Sequence, residues 1–217
     1  MSLAEVFAAG GIVMWPLLLF SILTVAIALE RSIFWLRVNQ RQKTVVRQIL
    51  NTYRSRPIEV FPLLKQHIKL PIARIFLEAL ELEGASPNQF RLALESATQA
   101  ELPLLKRFGM VLQTIIAVSP LLGLLGTILG LIRSFGAIQI GEVGANAGLV
   151  TGGISEALVS TAAGLVVAIV ALLFANLFRG IYRRQVALLQ EYGGQLEILY
   201  EWRHEAVRHG EVAYASP

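Results

Sequence analysis

Three long apolar stretches that contain no charged residue dominate the hydropathy pattern of the chain. They cover residues 6–29, 108–132 and 157–178, and a charged residue closes each one at both ends. A helix needs about 20 residues to cross a hydrocarbon core of about 30 Å, and a buried helix of a soluble protein rarely needs so many. The pattern therefore predicts three transmembrane helices.

The segment between the first two spans has the spacing of amphipathic helices. Residues 38–55 are basic and carry one apolar face. Pro71 starts a further predicted helix, whose apolar stripe is Ile72, Ile75, Phe76, Ala79 and Leu80. Ser86-Pro-Asn-Gln89 has the form of a capping box with Pro at the first helical position, which predicts a helix that begins at Pro87.

Helical periodicity continues from these segments into the spans. It predicts one element from Pro87 to about Phe135, bent at Pro103 and Pro120. It also carries the third span onward to Tyr200, with a weak point at Gly193-Gly194. The predicted fold class is an all-α membrane protein with three transmembrane helices, of which the second and third extend into a cytoplasmic helical bundle.

This pattern divides the chain into six parts. They are a short external N-terminus with the first transmembrane helix (1–30), a cytoplasmic helical segment (31–107), the second transmembrane helix (108–135), an external loop (136–149), the third transmembrane helix (150–178) and a cytoplasmic C-terminal helix with a frayed tail (179–217). The first helix is expected to stay as an anchor, because its apolar run exceeds that of a signal peptide and no cation precedes it.

Composition and charge agree with a multi-pass membrane protein. The chain is 55% hydrophobic and 16% charged, with a mean hydropathy of +0.61, which is too apolar for an ordinary soluble domain. Of the 19 Lys and Arg residues, none precedes Arg31 and none lies between residues 135 and 178. The positive-inside rule then places the N-terminus and the loop at 136–149 outside and both basic segments in the cytoplasm. These cations are interleaved with Glu along amphipathic helices, so we expect no nucleic-acid partner.

Enzyme chemistry finds little support in the residues. The chain has no Cys and no Asp, and its three His residues all fall in the predicted cytoplasmic segments. Thiolate chemistry, an intramembrane aspartyl pair and a serine hydrolase with an intramembrane base are thereby excluded. Residues 123–130 are glycine-rich but lack the Lys-Ser/Thr ending of a phosphate loop. We expect no enzyme activity, no cofactor and no metal.

Glu156 is the most informative residue of the sequence, because it lies alone in an apolar context near the start of the third span. An unpaired carboxylate inside a bilayer costs about 3 kcal/mol on insertion scales, and such a cost indicates a function. Desolvation penalises the ionised form, so an intramembrane acid can bind and release a proton where an aqueous Glu stays charged.

The second and third spans carry small and hydroxyl residues in helical register, unlike the bulky first span. Small residues let helix backbones approach, and hydroxyls supply hydrogen bonds that lipid cannot. The candidates for helix packing are Gly123, Gly126, Gly130, Ser160 and Gly164. Thr127 and Thr161 fit packing or a proton path equally well, because a hydroxyl beside a buried acid can also solvate a proton. Ser160 shares the face of Glu156, whereas Thr161 lies about 140° around the helix, so a site that uses both must be a groove shared between helices or subunits.

Three strings carry a resemblance to a known family. They are Met14-Trp-Pro-Leu-Leu-Leu-Phe-Ser21, Ser119-Pro-Leu-Leu-Gly-Leu-Leu-Gly-Thr-Ile-Leu-Gly130 and Gly153-Ile-Ser-Glu-Ala-Leu-Val-Ser-Thr-Ala-Ala-Gly-Leu165. With them the chain resembles the MotA/TolQ/ExbB proton channel family, and it is most similar to the three-helix ExbB/TolQ branch. Many relatives read Ala-Ile-Pro-Ala where this chain has Ala168-Ile-Val-Ala171, so Val170 stands in place of a proline.

The resemblance implies a homopentamer in the inner membrane of a cell envelope. It implies a dimer of a single-span ExbD- or TolR-like protein in the central pore, and proton flow that drives a movement passed to a TonB- or TolA-like partner. Glu156 takes the position of the family's intramembrane acid, and Thr127 and Thr161 take those of its pore-lining threonines. The choice between an ExbB-type import role and a TolQ-type envelope role stays open, as does the cargo. A passive scaffold that clamps a partner helix in the lipid bilayer without conducting protons is the rival interpretation.

Overall fold

The computed structural model describes Phe7 and residues 10–82, 84–139 and 147–208. Within these ranges the structure is helical and contains no strand. In chain order the helices are α1 (Met14–Ser55), a short 3-10 helix (Pro57–Glu59), α2 (Val60–Gln66), α3 (Pro71–Leu80), α4 (Pro87–Leu105), α5 (Gly109–Gln139) and α6 (Ala147–Arg208). Three stretches, in Met14–Ser55, Pro87–Gly136 and Val150–Arg208, are long and apolar enough to cross a membrane. The predicted all-α class with three spanning helices is confirmed.

The chain divides into two compact units. The membrane unit comprises Met1–Arg31 and Phe108–Phe178, and the charged unit comprises Ser32–Arg107 and Arg179–Pro217. Parts of the expected external N-terminus, external loop and frayed tail, at residues 1–6, 8–9, 140–146 and 209–217, lie outside the described residues.

In the membrane unit, α1 begins later than its hydropathy predicts. The apolar run starts at residue 6, but the helix starts at Met14, after a turn that contains Gly11 at φ +70°. This left-handed conformation is one that L side chains rarely adopt, which explains a glycine here. Hydropathy measures the transfer of side chains into lipid and does not detect a turn made of apolar residues.

One face of α1 packs against the other spans, and the opposite face is exposed. Val13, Met14 and Leu17 are buried and pack against four apolar side chains, which are those of Phe7, Leu122, Leu129 and Ala163. Trp15 and Leu19 project from the other face with exposed fractions of 65% and 62%. An exposed apolar face of this kind is suited to lipid or to a neighbouring helix.

The element predicted from Pro87 to Phe135 is interrupted, and this prediction was wrong in its continuity. A turn at residues 106–108 separates α4 from α5, and Phe108 adopts φ +64°. The guanidinium of Arg31, which is almost fully buried, lies 5.6 Å from the centre of the Phe108 ring. A non-glycine residue in this region costs about 1 to 3 kcal/mol, so the surrounding contacts must hold the turn in place. Side-chain periodicity carries no information about such a backbone break.

The charged unit packs its helices as their apolar stripes predict. All five stripe residues of α3 are buried, and the capping box of Ser86 and Gln89 is formed at the start of α4. α6 continues through Gly193-Gly194 without a break, and a Cβ at Gly193 would come within 3.3 Å of the Leu94 side chain. The Tyr200 ring stacks on Phe90 at 3.9 Å, so the C-terminal half of α6 is held against α4.

Candidate functional site

α5 and α6 approach each other closely along a line of glycines in the membrane unit. A Cβ at Gly123 would lie 3.0 Å from Ser160 O, and one at Gly126 would overlap the Ser160 side chain. A Cβ at Gly130 would lie 2.5 Å from Gly153 O. Glycine is therefore required sterically at these positions, because a methyl group would collide with the opposite helix. We call this contact line the seam.

Residues of α6 complete the seam from the opposite side. A Cβ at Gly164 would lie 2.5 Å from Ser119 O, and one at Gly153 would lie 2.6 Å from Gly130 O. Gly152, the neighbour of Gly153, has open space at the same position. The structure thus places all five predicted packing residues, including Ser160, at the contact of α5 with α6, and it adds Gly153 to them.

Hydroxyl groups along the seam bond to backbone carbonyls of the facing helix. Thr161 Oγ1 donates to Gly123 O at 3.1 Å. Ser160 Oγ donates to Ala157 O of its own helix at 2.9 Å and lies 3.4 Å from Gly123 O of the facing helix. Ser134 Oγ lies 3.0 Å from Val150 O. Hydrogen bonds between helices strengthen association in a medium that offers no water as an alternative partner.

Thr127 differs from Thr161 in its environment. Its Oγ1 donates to Leu124 O of its own helix at 2.6 Å, and the residue is partly exposed. The hydroxyl therefore lies beside the seam and reaches no other helix of the chain in the described structure. Its exposed surface is available to a neighbouring molecule.

Glu156 is paired, which corrects the expectation of an unpaired carboxylate. Arg133 Nη1 lies 2.9 Å from Oε1 and 2.7 Å from Oε2 of Glu156. The Glu156 side chain is 13% exposed and the Arg133 side chain is 60% exposed. The pair therefore joins a largely buried anion to a cation that keeps much of its contact with the surroundings.

Arg133 is the residue at this site that sequence reasoning missed. In the sequence, Arg133 is only the charged residue that closes the second apolar run, but its position near the connection between two antiparallel helices could have indicated a partner on α6. In an antiparallel helical hairpin, residues equally distant from the connection face each other. Arg133 lies six residues before the end of α5 and Glu156 nine residues after the start of α6, an offset of three residues, or about 4.5 Å, that the long arginine side chain spans.

The turn before α1 closes another side of the Glu156 carboxylate. A Cβ at Gly11 would overlap Oε1 and lie 2.6 Å from the carboxyl carbon of Glu156. No residue other than glycine fits there without displacing the acid. A glycine at this turn is therefore needed for two reasons: it permits the positive φ, and it leaves space for the Glu156 carboxylate.

The three predicted proton-pathway residues do not form one cluster within the chain. Glu156 bonds to Arg133, Thr161 to Gly123 and Thr127 to Leu124, and no hydrogen bond joins any two of the three in the described residues. Glu156 and Thr161 are about 7.5 Å apart along the axis of α6. A path that uses all three must therefore include water, a rotation of the hydroxyls or groups from other subunits.

Comparisons with known proteins show the family of the chain. The model of the MotA/TolQ/ExbB proton channel family matches residues 67–191. An ExbB-like biopolymer transport protein of Synechocystis sp. (ExbB-like 3) is 61% identical over 206 residues, which cover 94% of this chain and 98% of the relative. A second such protein of that organism (ExbB-like 1) is 40% identical over 91% of this chain and 79% of its own length. An ExbB homolog of Methanothermobacter thermautotrophicus is 30% identical over 76% of this chain and 59% of its own length.

Proposed function

Because this chain belongs to the MotA/TolQ/ExbB proton channel family, we propose that it is the proton-conducting subunit of an inner-membrane motor complex. In this proposal, the proton motive force energises transport or envelope work through a TonB- or TolA-like partner. The observation that carries the proposal is the carboxylate of Glu156, which is largely buried at the contact of α5, α6 and the turn before α1.

Glu156 has the chemistry that a proton-binding site in a membrane needs. Its membrane unit contains few charges in the described residues, namely Glu30, Arg31, Arg133 and Glu156. Glu30 and Arg31 bond to each other at 2.6 Å, which leaves Glu156 and Arg133 as the second pair. Moving one elementary charge through a membrane potential of 100 mV supplies about 2.3 kcal/mol, so a motor gains energy from each proton that Glu156 passes on.

Thr127 and Thr161 are proposed to continue the proton path. Each hydroxyl can donate one hydrogen bond and accept others, so it can pass a proton when it rotates or when water enters. Thr161 holds its hydroxyl in the seam, and Thr127 presents its own beside the seam. A hydroxyl from each helix would then border the groove next to Glu156.

The complex is proposed to be a homo-oligomer around a partner. Large apolar side chains on α5 and α6 remain exposed, among them Leu121, Ile132 and Leu158 with exposed fractions of 62%, 62% and 67%. These surfaces fit neighbouring copies, lipid and a partner helix. The family resemblance supports a pentamer with a dimer of an ExbD- or TolR-like single-span protein in its pore.

The orientation in the membrane is proposed from the cations. The charged unit contains 17 of the 19 Lys and Arg residues, since only Arg31 and Arg133 fall in the membrane unit. By the positive-inside rule the charged unit lies in the cytoplasm, together with the C-terminus, and the N-terminus lies on the periplasmic side.

A non-conducting scaffold is the second candidate, and the ion pair itself favours it. A carboxylate that bonds permanently to Arg133 would tie α5 to α6 without ever binding a proton. A TolQ-type role in envelope maintenance, in place of an ExbB-type role in import, uses the same conducting chemistry and differs in its partners.

The substitution Glu156→Gln tests the proposal. Gln keeps the size and most of the hydrogen bonding of Glu but cannot take up and release a proton at this position. In cells that contain the partner proteins and lack the native copy, we expect normal assembly and loss of energy-dependent transport. Glu156→Asp serves as the matched control, because it retains an acid one methylene shorter, and we expect partial activity. Full transport with Glu156→Gln would contradict the conducting role and support the scaffold.

A further inference from the structure

We propose that Arg133 is the gate of the proton site: it occupies the Glu156 carboxylate when no proton is bound and leaves it whenever a proton is loaded. This inference rests on the proposed function, because it assigns the control of the same site. Arg133 acts on proton transfer through Glu156 and is thus a positioning residue.

The geometry of the pair is that of a releasable contact. Only Nη1 of Arg133 reaches the carboxylate, at 2.9 and 2.7 Å from its two oxygens. Nε and Nη2 have no hydrogen-bond partner in the part of the chain that the structure describes. An arginine that is fixed in place usually uses its planar fork to bind a carboxylate with two nitrogens. Arg133 has one point of attachment on a long side chain, so a small rotation breaks the contact.

The exposure of the two partners is unequal, and this decides which state the site can tolerate. The Glu156 side chain is 13% exposed, so an ionised carboxylate needs the cation beside it. The Arg133 side chain is 60% exposed on the surface of the chain and lies near the end of α5 (Gly109–Gln139), so a guanidinium without a partner can turn toward the end of the span, where a charged head group is hydrated. Protonation of Glu156 therefore frees a cation that can remain charged outside the site.

No other described charge can take the place of Arg133. The turn before α1 presents Gly11 to the carboxylate, α5 presents Arg133, and α6 presents no second ionisable side chain near Glu156. The remaining described charges of the membrane unit, Glu30 and Arg31, bond to each other. Among the described residues, Arg133 alone balances the negative charge of Glu156.

The resulting cycle has two states that balance in charge and in atoms. In the resting state the carboxylate and the guanidinium attract each other, and a proton must displace Arg133 to form the O–H bond on Glu156. In the loaded state the neutral acid holds the proton while Arg133 stays protonated. When Arg133 returns, it favours release of the proton. Because Arg133 and the proton compete for the carboxylate, Glu156 does not stay protonated when no proton is being passed on.

Chemical labelling of Glu156 tests this gate directly. An apolar carbodiimide adds to a protonated carboxyl group and rearranges to a stable N-acylurea in an apolar site, so the rate of labelling reports how often Glu156 is neutral and uncovered. The full-length protein in membrane vesicles is treated at neutral pH, and modified Glu156 is quantified by mass spectrometry. The variants are Arg133→Gln and Arg133→Ala, which remove the cation, and Arg133→Lys, which keeps one.

We expect Glu156 to be labelled about fivefold faster in Arg133→Gln and Arg133→Ala than in the wild type. A change of this size is expected when a partly exposed ion pair is lost. Arg133→Lys is expected to label within about twofold of wild type. The exposed Arg179, which lies in the charged unit, supplies the matched control Arg179→Gln, and its rate should equal that of wild type. Wild-type rates in both neutral variants would overturn the gate.

The labelling needs neither a partner nor transport, so its failure is separable from failure of the proposed function. If Glu156→Gln abolishes transport but the neutral Arg133 variants label like wild type, only the gate is lost. If Glu156→Gln transports normally and the neutral variants label faster, Arg133 controls the protonation of Glu156, and the conducting role is lost.

Discussion

Each of the two units of the molecule contains an arginine–glutamate pair that joins two helices, and these two pairs are built differently. In the charged unit, Arg74 Nε and Nη2 lie 2.5 and 2.7 Å from the two oxygens of Glu101. A third bond runs from Arg74 Nη1 to Ile68 O at 2.9 Å. In the membrane unit, Arg133 uses Nη1 alone against Glu156. The pair of the charged unit is thus fixed at three points and that of the membrane unit at one nitrogen.

Exposure separates the two pairs further. The Arg74 side chain is 32% exposed, about half the 60% of Arg133, although the two acids are similar at 10% and 13%. The hydrogen bond with Glu101 raises the pKa of Arg74 above its ordinary value, against the lowering effect of burial. A pair in which two arginine nitrogens bind the carboxylate and the cation is partly buried is suited to hold a fold together, whereas a one-nitrogen pair with an exposed cation is suited to open.

The largest expected effect is a difference in stability between a variant of the Arg74–Glu101 pair and a variant of the Arg133–Glu156 pair. Glu101→Gln leaves Arg74 with a poorer partner in a partly buried position, and we expect a loss of about 2 to 3 kcal/mol in the free energy of unfolding. Glu156→Gln should cost less than about 1 kcal/mol, because Arg133 is exposed. Chemical unfolding of both full-length variants in the same detergent measures the difference.

The pH dependence of the stability lost in Glu101→Gln provides a control. The raised pKa of Arg74 contributes stability that is fully present below the ordinary pKa of Arg and is lost only as the pH rises through the pKa in the folded protein. The loss should therefore be equal at about pH 7 and about pH 9. Equal losses for Glu101→Gln and Glu156→Gln would remove the distinction between a structural pair and a releasable one.

A smaller effect tests the position of the seam between α5 and α6. Gly153→Ala places a methyl group 2.6 Å from Gly130 O and should cost about 1 to 3 kcal/mol as α5 and α6 move apart. Gly152→Ala, its neighbour, meets open space and should be neutral or slightly stabilising. Thermal unfolding ranks the two. A Gly152→Ala protein less stable than Gly153→Ala would mean that the seam is misplaced.

The smallest effects are expected for the two threonines. Thr161→Val removes a hydrogen bond within the seam and should cost about 1 kcal/mol of stability, and Thr127→Val, which loses a bond within its own helix, should cost less. Each variant should keep part of its transport activity, because water can replace one hydroxyl more easily than anything replaces Glu156. Complete loss of activity in either single variant would make that threonine as essential as the acid.

Much of the membrane unit follows from the sequence, because lipid restricts what an apolar helix can be. The three spans, the glycines of the contact and the position of Glu156 all came from hydropathy and residue size. Cap chemistry predicted the start of α4, since Ser86 and Gln89 act locally.

The sequence could not reveal features that depend on backbone conformation or on distant residues. The turn at Phe108 and the late start of α1 at Met14 lie in segments whose side chains keep an apolar or helical pattern. The pairing of Arg133 with Glu156 and of Arg74 with Glu101 joins residues 23 and 27 positions apart, and it requires the register of the packed helices. Neither hydropathy nor periodicity within one helix contains that register.

The proposed function requires that the Glu156 carboxylate takes up and releases a proton, and this uptake can be measured directly. Infrared difference spectroscopy of the full-length protein with isotopically labelled glutamate, recorded in membranes across a range of pH, detects a neutral carboxyl group by its C=O stretch. We predict a band that appears on acidification, disappears on return to the starting pH and is absent from Glu156→Gln. A wild-type spectrum with no band attributable to Glu156 at any pH at which the protein stays folded would contradict the claim that this carboxylate binds protons.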